Sequence, residues 1–365
     1  MKLVAFVVAG MFSLGLLADP AKADIEIAVV GPMTGQYAVF GEQMRRGAEQ
    51  AVSDINASGG LLKHDLELFV GDDGCDPIRA VAIANRLPGD SVKFVAGHLC
   101  SAASLQASRI YAEEGLVQIT PASTDPALTE QGAGNVFRVS GREDRQGALA
   151  GRFIAEHFAT AKIAILHNDS AHGKRLAEIV LNTLHAAGIT EIMYEAYEPA
   201  GSDYSELIAR MKAARISVFY VGGHHTEAAV IIRQAHETGY KPQLIAGDTL
   251  TAEEFWQISE GAGEGAIMTA VPDPRSNPAA AAVVSRFRAQ SFEPAGYTLA
   301  TYAAVQVWVE AARTAGTYQL DKVVEVMHNN QFQTVLGDIA FDEKGDISTT
   351  SYIWHRWSKG SFKPL

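Results

Sequence analysis

Short apolar, β-branched runs alternate with amphipathic helical stretches from residue 24 onward, and this alternation is what most limits the fold. In the first half the pattern predicts strands at 25–30, 66–70, 92–97 and 116–120, and helices at about 41–57, from Pro77, and at 101–114. Strands and helices that alternate in this way favour a parallel sheet with helices on both faces. The first half therefore predicts a doubly wound lobe.

The same alternation restarts after Arg142. The predicted order is helix 144–158, strand 162–167, helix 173–187, strand 191–197, helix 204–214, strand 217–221, helix 226–238 and strand 243–246. No long linker separates the halves, and 365 residues exceed the usual size of one domain. We therefore expect an α/β fold class with two doubly wound parallel-sheet lobes joined by a hinge.

The end of the chain adds further elements to this pattern. Helices are predicted at about 278–290, 298–315 and 321–328, and β-rich segments at 335–341 and 351–357. These β-rich segments could return to the first lobe, which would make the chain cross the hinge more than once. The pattern alone leaves this open.

The first 23 residues differ from the rest. Lys2 is followed by an apolar stretch over 3–17 and by the small-x-small sequence Ala21-Lys22-Ala23, which predicts a cleaved secretory signal peptide over 1–23. A membrane anchor would need about 20 apolar residues, and this stretch is shorter. With no cysteine at its end to carry a lipid, we expect a periplasmic protein without membrane insertion.

The chain has two cysteines, Cys75 and Cys100. In an exported protein such a pair favours a disulfide, which would stabilise the fold by roughly 3.5 kcal/mol in the chain-entropy model. The alternative is two buried free thiols.

Composition and motifs argue against several function classes. A net charge of −12 gives no basic stripe for nucleic acid. The nucleophile-elbow, zinc-protease and phosphate-loop motifs are absent, and the glycine-rich run at 261–266 precedes a strand-like segment at 266–270 instead of opening a helix. His224 and His225 lack a third ligand at metal-binding spacing. We expect no enzyme, no cofactor and no metal.

Polar residues follow the predicted strands of the first lobe. Ser101 comes soon after strand 92–97, at the start of a helix, and a hydroxyl-rich loop at 121–126 follows strand 116–120. Ser101 could cap its own helix or hold a carboxylate through its hydroxyl and nearby N–H groups. Because ligands bind at the carboxyl ends of parallel strands, the two loops predict a polar ledge there.

The matching edge of the second lobe carries Asp169, Ser170 and His172, then the sequence Gly-Gly-His-His at 222–225, then Asp248. A carboxylate that faces hydroxyl groups across a cleft would suit a zwitterion. The alternative for Asp248 is a helix N-cap before Glu253 and Glu254.

Several stretches together resemble the leucine/isoleucine/valine-binding proteins of bacterial ABC transporters. The resemblance covers 25–357 and is carried by DDGCDP at 72–77, GHLCS at 97–101, YAEEGLVQITPAST at 111–124, GGHH at 222–225, and TYAAVQ and FDEKGD near the end. It implies the type I periplasmic binding protein fold with three crossings between lobes. Lobe one would be 24–142 plus about 271–350, and lobe two 143–270 plus about 351–365.

The resemblance also implies a binding site. Cys75 and Cys100 would form a disulfide, Ser101 and Thr124 would hold the ligand α-carboxylate, and the Ala122 carbonyl and Asp248 would hold its ammonium group. The other wall residues implied are Phe40, where tyrosine is common, His172 and His224, which replace tyrosines or an aliphatic residue, and Tyr297.

The function that follows is the solute-binding component of an ABC transporter. It would close on a free amino acid, with leucine, isoleucine or valine first, and deliver it to a permease. Because two imidazoles make the pocket more polar, another small or polar amino acid or γ-aminobutyrate is an alternative ligand. A sensory protein that presents its ligand to a receptor is an alternative function.

Overall fold

Two mainly parallel sheets, each with helices on both faces, organise the protein into two lobes. The computed structural model describes residues 24–87, 91–131, 134–348 and 352–365. The predicted signal peptide at 1–23 and the predicted crossing residue Ser351 lie outside the described residues.

The first sheet has five parallel strands in the order β2-β1-β3-β4-β5. Its strands are β1 (Ile25–Gly31), β2 (Leu66–Asp72), β3 (Val92–Gly97), β4 (Val117–Thr120) and β5 (Val136–Arg138), and the helices among them are α1 (Ala38–Ala57), α2 (Pro77–Ala84), α3 (Ser101–Glu113) and α4 (Ala127–Glu130). The order reverses direction between β1 and β3, which is where doubly wound sheets open a crevice for ligands.

Helix α1 shows how one sequence feature shapes this lobe. It begins at Ala38, three residues earlier than predicted, and buries Phe40, Met44, Ala48 and Ile55 against the sheet. Gly41 permits the early start, because a Cβ at this position would lie 2.1 Å from the carbonyl oxygen of Pro32 in the preceding loop. The loop therefore folds tightly back onto the first turn of the helix.

The second sheet repeats the order of the first over β7-β6-β8-β9-β10. Its elements in chain order are α5 (Glu143–His157), β6 (Ile163–Asn168), α6 (Ala171–Ala186), β7 (Met193–Tyr197), α7 (Ser205–Ala213), β8 (Val218–Gly222), α8 (His225–Glu237), β9 (Gln243–Ala246), α9 (Glu253–Ser259) and β10 (Ile267–Ala270). The predicted second doubly wound lobe is confirmed, and the strand-like run after the glycine-rich segment is β10.

The last part of the chain contributes to both lobes. Its elements are α10 (Ala281–Ala289), α11 (Thr298–Ala315), α12 (Leu320–Asn329), β11 (Phe332–Thr334), β12 (Gly337–Ile339), β13 (Ile353–Ser358) and β14 (Ser361–Pro364). The helices and the β11–β12 hairpin pack into the core of lobe one, where the Trp308 ring stacks on Phe94 with centroids 5.1 Å apart. Of the two late β-rich segments, the first therefore joins lobe one.

The second late segment extends the other sheet, and it does so antiparallel. Residue Ile353 at the start of β13 pairs with Ala270 at the end of β10, and β14 then pairs antiparallel with β13. Because the chain leaves lobe two at the end of β10 and returns beside it, the next strand must run in the opposite direction. The predicted doubly wound parallel sheet is therefore extended at one edge by two antiparallel strands.

The chain passes from the first sheet to the second around residues 139–142, returns to lobe one around 271–280, and enters the second sheet again at β13. We keep 24–142 with about 271–350 and 143–270 with about 351–365 as a working division into lobes. Within the part of the chain described here, no helix has both the length and the apolar character needed to cross a bilayer.

Candidate functional site

A cavity of about 400 Å³ lies between the lobes, at the carboxyl ends of β3, β4, β6, β8 and β9. All eight residues predicted for a ligand site line it: Phe40, Ser101, Ala122, Thr124, His172, His224, Asp248 and Tyr297. The structure thus brings together side chains up to 257 positions apart, Phe40 to Tyr297.

A larger cavity of about 550 Å³ lies beside the connections between the lobes. It shares Asp248 and Tyr297 with the smaller cavity, but many of its other wall residues are apolar, among them Val271, Leu336 and Ile339. The smaller cavity is lined by the hydroxyl-bearing Ser101 and Thr124 of lobe one and by the Asp248 carboxylate of lobe two. We therefore take the smaller cavity, which we call the cleft cavity, as the candidate site.

Ser101 links two loops of lobe one. It is the first residue of α3, and its buried Oγ accepts hydrogen bonds from the backbone N–H groups of Thr124 at 3.2 Å and Asp125 at 3.3 Å. The N-cap position belongs to Cys100, which makes no side-chain cap. The hydroxyl therefore fixes the ledge formed by the β3–α3 and β4–α4 loops instead of capping its own helix.

Thr124 points its hydroxyl at a buried carboxylate. Its Oγ1 donates to Oε2 of Glu143 at 2.8 Å and lies 3.2 Å from Nδ1 of His172. The same Oε2 is 3.1 Å from Nδ1 of His172. Glu143 was not predicted as a site residue. Acidic residues are common in the first turn of a helix because they interact favourably with the helix dipole, so its position alone does not indicate a site.

The two histidines of the cleft cavity differ in electrostatic environment. Burial lowers the pKa of His172, but the hydrogen bond to Glu143 and the charges of Glu143, Asp248 and Asp125 outweigh it, so the net pKa is raised. Burial, together with the neighbouring His172 and His225, lowers the pKa of His224 well below its ordinary value. His172 therefore keeps its proton to a higher pH than His224 does.

The Gly-Gly-His-His sequence explains why these histidines are neighbours. A Cβ on Gly222 would lie 2.3 Å from the carbonyl oxygen of Gly173, so glycine lets the end of β8 touch the start of α6. The His172 and His224 rings then stack with centroids 6.1 Å apart, and the Tyr37 ring of lobe one lies 4.3 Å from His224. Tyr37 also lines the cavity and was not among the predicted residues.

Asp248 lies on the opposite side of the cavity from the ledge. It starts a short 3₁₀ turn, Asp248–Thr251, while α9 begins five residues later with Ala252 at its N-cap position, so Asp248 does not cap that helix. Its Oδ1 accepts from Nε2 of Gln146 at 2.9 Å. Burial and the charge of Asp248, to which the Tyr297 hydroxyl is hydrogen-bonded, raise the pKa of Tyr297 well above its usual range. A carboxylate has about four acceptor positions, so these bonds leave room for an ammonium group.

Aromatic rings close one end of the cavity. The Phe40 ring is buried and meets Tyr297 edge-on with centroids 5.4 Å apart. It also meets His225 of lobe two at 5.1 Å, so the lobes touch here as well. Ala122 lies in the β4–α4 loop, two residues before Thr124, in the wall of lobe one.

Cys75 and Cys100 form a disulfide with Cα atoms 5.4 Å apart, as predicted, and both line the cavity. Behind them lies a fully buried network in which His98 Nδ1 is 2.6 Å from Oδ2 of Asp73 and Nε2 is 2.9 Å from the Tyr111 hydroxyl. The disulfide and this network support the ledge from behind. Across the described ranges, no group of three His, Cys, Asp or Glu side chains is arranged to hold a metal ion.

Comparison with known proteins places the chain in a family. The family model described as "Periplasmic binding protein" matches residues 24–360. The Leu/Ile/Val-binding protein homolog 1 of Brucella suis is 42% identical over 342 residues, which cover 93% of this chain and 92% of that protein. The leucine-, isoleucine-, valine-, threonine-, and alanine-binding protein of Pseudomonas aeruginosa is 36% identical and covers 97% of this chain and 94% of its own.

Solved structures agree with these relatives. The leucine-binding protein LivK from Thermotoga maritima superposes with a TM-score of 0.84 at 27% identity, covering 93% of this chain and 97% of that one. LivJ of Streptococcus pneumoniae, in complex with isoleucine, has the same fold with a TM-score of 0.83 at 22% identity, covering 93% and 98%. The chain therefore belongs to the periplasmic binding protein family, a class of non-enzymatic solute-binding proteins that includes the Leu/Ile/Val-binding protein homologues.

Proposed function

We propose that the protein captures a free amino acid in the cleft cavity, with leucine, isoleucine or valine as the first candidates, and presents it to an ABC transporter permease. The observation that supports this most is that groups suited to a ligand carboxylate lie on one lobe and a group suited to a ligand ammonium lies on the other. The hydroxyl ledge of Ser101 and Thr124 belongs to lobe one, and the Asp248 carboxylate belongs to lobe two.

An α-amino acid matches this arrangement at both of its ends. Its carboxylate would accept from the Ser101 hydroxyl and from the Thr124 hydroxyl, which would turn from Glu143 to the ligand, and the first turn of α3 also has N–H groups without intrahelical partners. Its ammonium group would bind Asp248 and the Ala122 carbonyl. Because the ledge and the Ala122 carbonyl belong to lobe one and Asp248 to lobe two, the ligand makes all of these contacts only when both lobes close on it, and the closed state gains in population through this differential affinity.

The side-chain part of the cavity leaves the choice of amino acid open. Names of the relatives point to branched-chain ligands, and that of the Pseudomonas protein includes threonine and alanine. His172 and His224 add polar ring edges that a purely aliphatic ligand does not use. Another small or polar amino acid or γ-aminobutyrate is therefore the second candidate ligand.

The transport role rests on the family and on the start of the chain. Proteins of this family normally work in the periplasm, and the first 23 residues have the pattern of a signal peptide. Delivery to a permease and presentation to a sensor would use the same closed lobes. Loss of uptake of the identified amino acid on deletion of the gene would favour the permease.

The test is a thermal-shift screen of refolded, ligand-stripped protein against the common amino acids and γ-aminobutyrate. A ligand at a hundred times its Kd stabilises the folded state by about 2.7 kcal/mol, which gives a clear shift in Tm. Controls are D-leucine, 3-methylbutylamine without the carboxylate, and 4-methyl-2-oxopentanoate without the ammonium group. Stabilisation by L-leucine, L-isoleucine or L-valine but by none of these controls supports the proposal. A response to a polar amino acid alone would mean that His172 and His224 determine which ligand is bound. No response to any amino acid would refute amino-acid capture.

A further inference from the structure

Arg175 connects the two lobes although it does not line the cleft cavity. It lies in the second turn of α6 in lobe two, and its NH1 is 2.7 Å from Oδ1 of Asp125 in lobe one. Its Nε is 3.0 Å from Oε1 of Glu143 at the start of α5. The guanidinium therefore neutralises one carboxylate on each side of the hinge.

Both carboxylates are attached to the wall of the cavity. Asp125 follows Thr124 directly, and Glu143 accepts the Thr124 hydroxyl and also bonds its backbone N–H to the Thr124 carbonyl at 3.0 Å. His172, one turn before Arg175 on α6, reaches the same Thr124. We call Thr124, Asp125, Glu143, His172 and Arg175 the interlobe clamp.

The clamp is stronger than an ordinary surface ion pair. The Arg175 side chain is 39% exposed, but those of Asp125 and Glu143 are only 2% and 0% exposed. Exposed pairs contribute little, whereas burying a carboxylate is costly: burial raises the pKa of Asp125, the charges of Arg175 and Arg138 oppose this rise, and loss of Arg175 would leave the carboxylate less compensated. Opening the lobes separates Arg175 from Asp125, so this contact favours the closed arrangement.

We infer that Arg175 is a closure residue, which raises the affinity for every ligand of the cleft cavity by holding the lobes together and without touching the ligand. The inference rests on the proposed function. It predicts an unusual signature: loss of Arg175 weakens all ligands by one common factor and leaves their ranking unchanged. A residue that shapes the pocket would instead change the ranking.

The experiment measures Kd for L-leucine, L-isoleucine and L-valine by calorimetry, for the ligand-stripped wild type, Arg175→Gln and Arg210→Gln. Arg210 is a matched control, because it is 45% exposed and also bonds two carboxylates, Glu195 and Glu206, but both belong to lobe two. We expect Arg175→Gln to raise each Kd about tenfold and Arg210→Gln to change them less than twofold. An unchanged Kd in Arg175→Gln, an equal loss in Arg210→Gln, or a loss that differs severalfold among the three ligands would overturn the inference.

A second variant separates closure from a folding defect. Asp125→Asn keeps an oxygen for the N–H of Ala127, which Asp125 accepts at 2.8 Å, and removes the charge that Arg175 needs. If the pair acts across the cleft, the double variant should bind leucine no more weakly than Arg175→Gln alone. Independent, multiplicative losses would overturn the interlobe role. If the wild type binds none of these three but another amino acid from the screen, the same variants are compared with that ligand; if it binds no amino acid, the proposed function itself fails and the closure role falls with it.

Discussion

The two walls of the cleft cavity are built on different principles. Lobe one contributes the neutral hydroxyl groups of Ser101 and Thr124 and the disulfide. Hydrogen bonds behind this wall fix it, because Ser104 and Ser123 share a hydrogen bond of 2.7 Å and the Thr120 hydroxyl donates to the His98 carbonyl at 2.7 Å. Lobe two contributes the imidazoles of His172 and His224, whose pKa values shift in opposite directions, and the carboxylate of Asp248. The wall of lobe one therefore provides shape, and the wall of lobe two provides charge. Changes to the first should affect the stability of the protein, and changes to the second should affect ligand affinity and the pH dependence of stability.

The largest effect should come from the support of the rigid wall. Replacing both cysteines, in Cys75→Ala/Cys100→Ala, should lower the free energy of unfolding by about 3.5 kcal/mol, because the closed loop no longer restricts the unfolded chain. Urea unfolding measures this change. The control is reductant, which should destabilise the wild type and leave the variant unchanged. A loss below about 1 kcal/mol would show that hydrogen bonds alone hold the ledge.

The next effect concerns the charged wall. Asp248→Asn should weaken amino-acid binding about a hundredfold, or about 2.7 kcal/mol, because the ammonium group loses its charged partner inside a closed cleft. Calorimetry with L-leucine measures it. Asp169→Asn is the control, since Asp169 lines the same cavity but is exposed, and it should change Kd less than threefold. Equal losses of affinity in both variants would mean that the summed negative charge of the cavity attracts the ligand, and not a specific ion pair with Asp248.

The smallest effect is the pH dependence of the same wall, and the two histidines should act in opposite directions. His172 has a raised pKa in the folded protein, so its contribution to stability is complete below about pH 6.5 and is lost as the pH rises through the folded value. His224 has a lowered pKa, so it destabilises the fold as the pH falls below about 6.5. Each contributes at most about 1.4 kcal/mol per pH unit.

Unfolding free energies between pH 5 and 8 test this. His172→Gln should reduce the loss of unfolding free energy as the pH rises above 6.5. His224→Gln should reduce the loss of unfolding free energy as the pH falls below 6.5. If either substitution alters both limbs equally, the histidines titrate as one coupled pair and the wall has a single charge state.

Sequence patterns predicted the two lobes and many of the residues that line the cleft cavity, for clear reasons. Strand β3 and helix α11 have the predicted bounds, because sharp changes in periodicity mark their ends. The eight wall residues follow from the family resemblance, and several of them also from the rule that parallel strands collect loops at one edge. Short elements such as β5, with three residues, carry too little periodicity to be recognised.

The clamp could not be predicted in this way. Arg175 and Glu143 are ordinary charged residues of amphipathic helices, and nothing in their local sequence sets them apart. Their role depends on the angle between the lobes, which places α6 against residues 124–125. That angle is a property of the whole chain, and no local periodicity encodes it. Tyr37 was missed for the same reason, because its partner His224 comes from the other lobe.

The way the chain passes three times between the lobes also bears on how it can fold. The core of lobe one needs residues from Ile25 to Ile347, and a core of lobe two needs Trp357, whose indole N–H bonds the Leu250 carbonyl at 3.0 Å. Neither core is complete until nearly the whole polypeptide is available. A chain truncated before residue 281 would lack α10 to α12 and β11 to β14, so the core of lobe one would lose Trp308 and Phe332 and the second sheet would lose the two antiparallel strands at its edge. Loss of one segment would therefore leave both lobes incomplete.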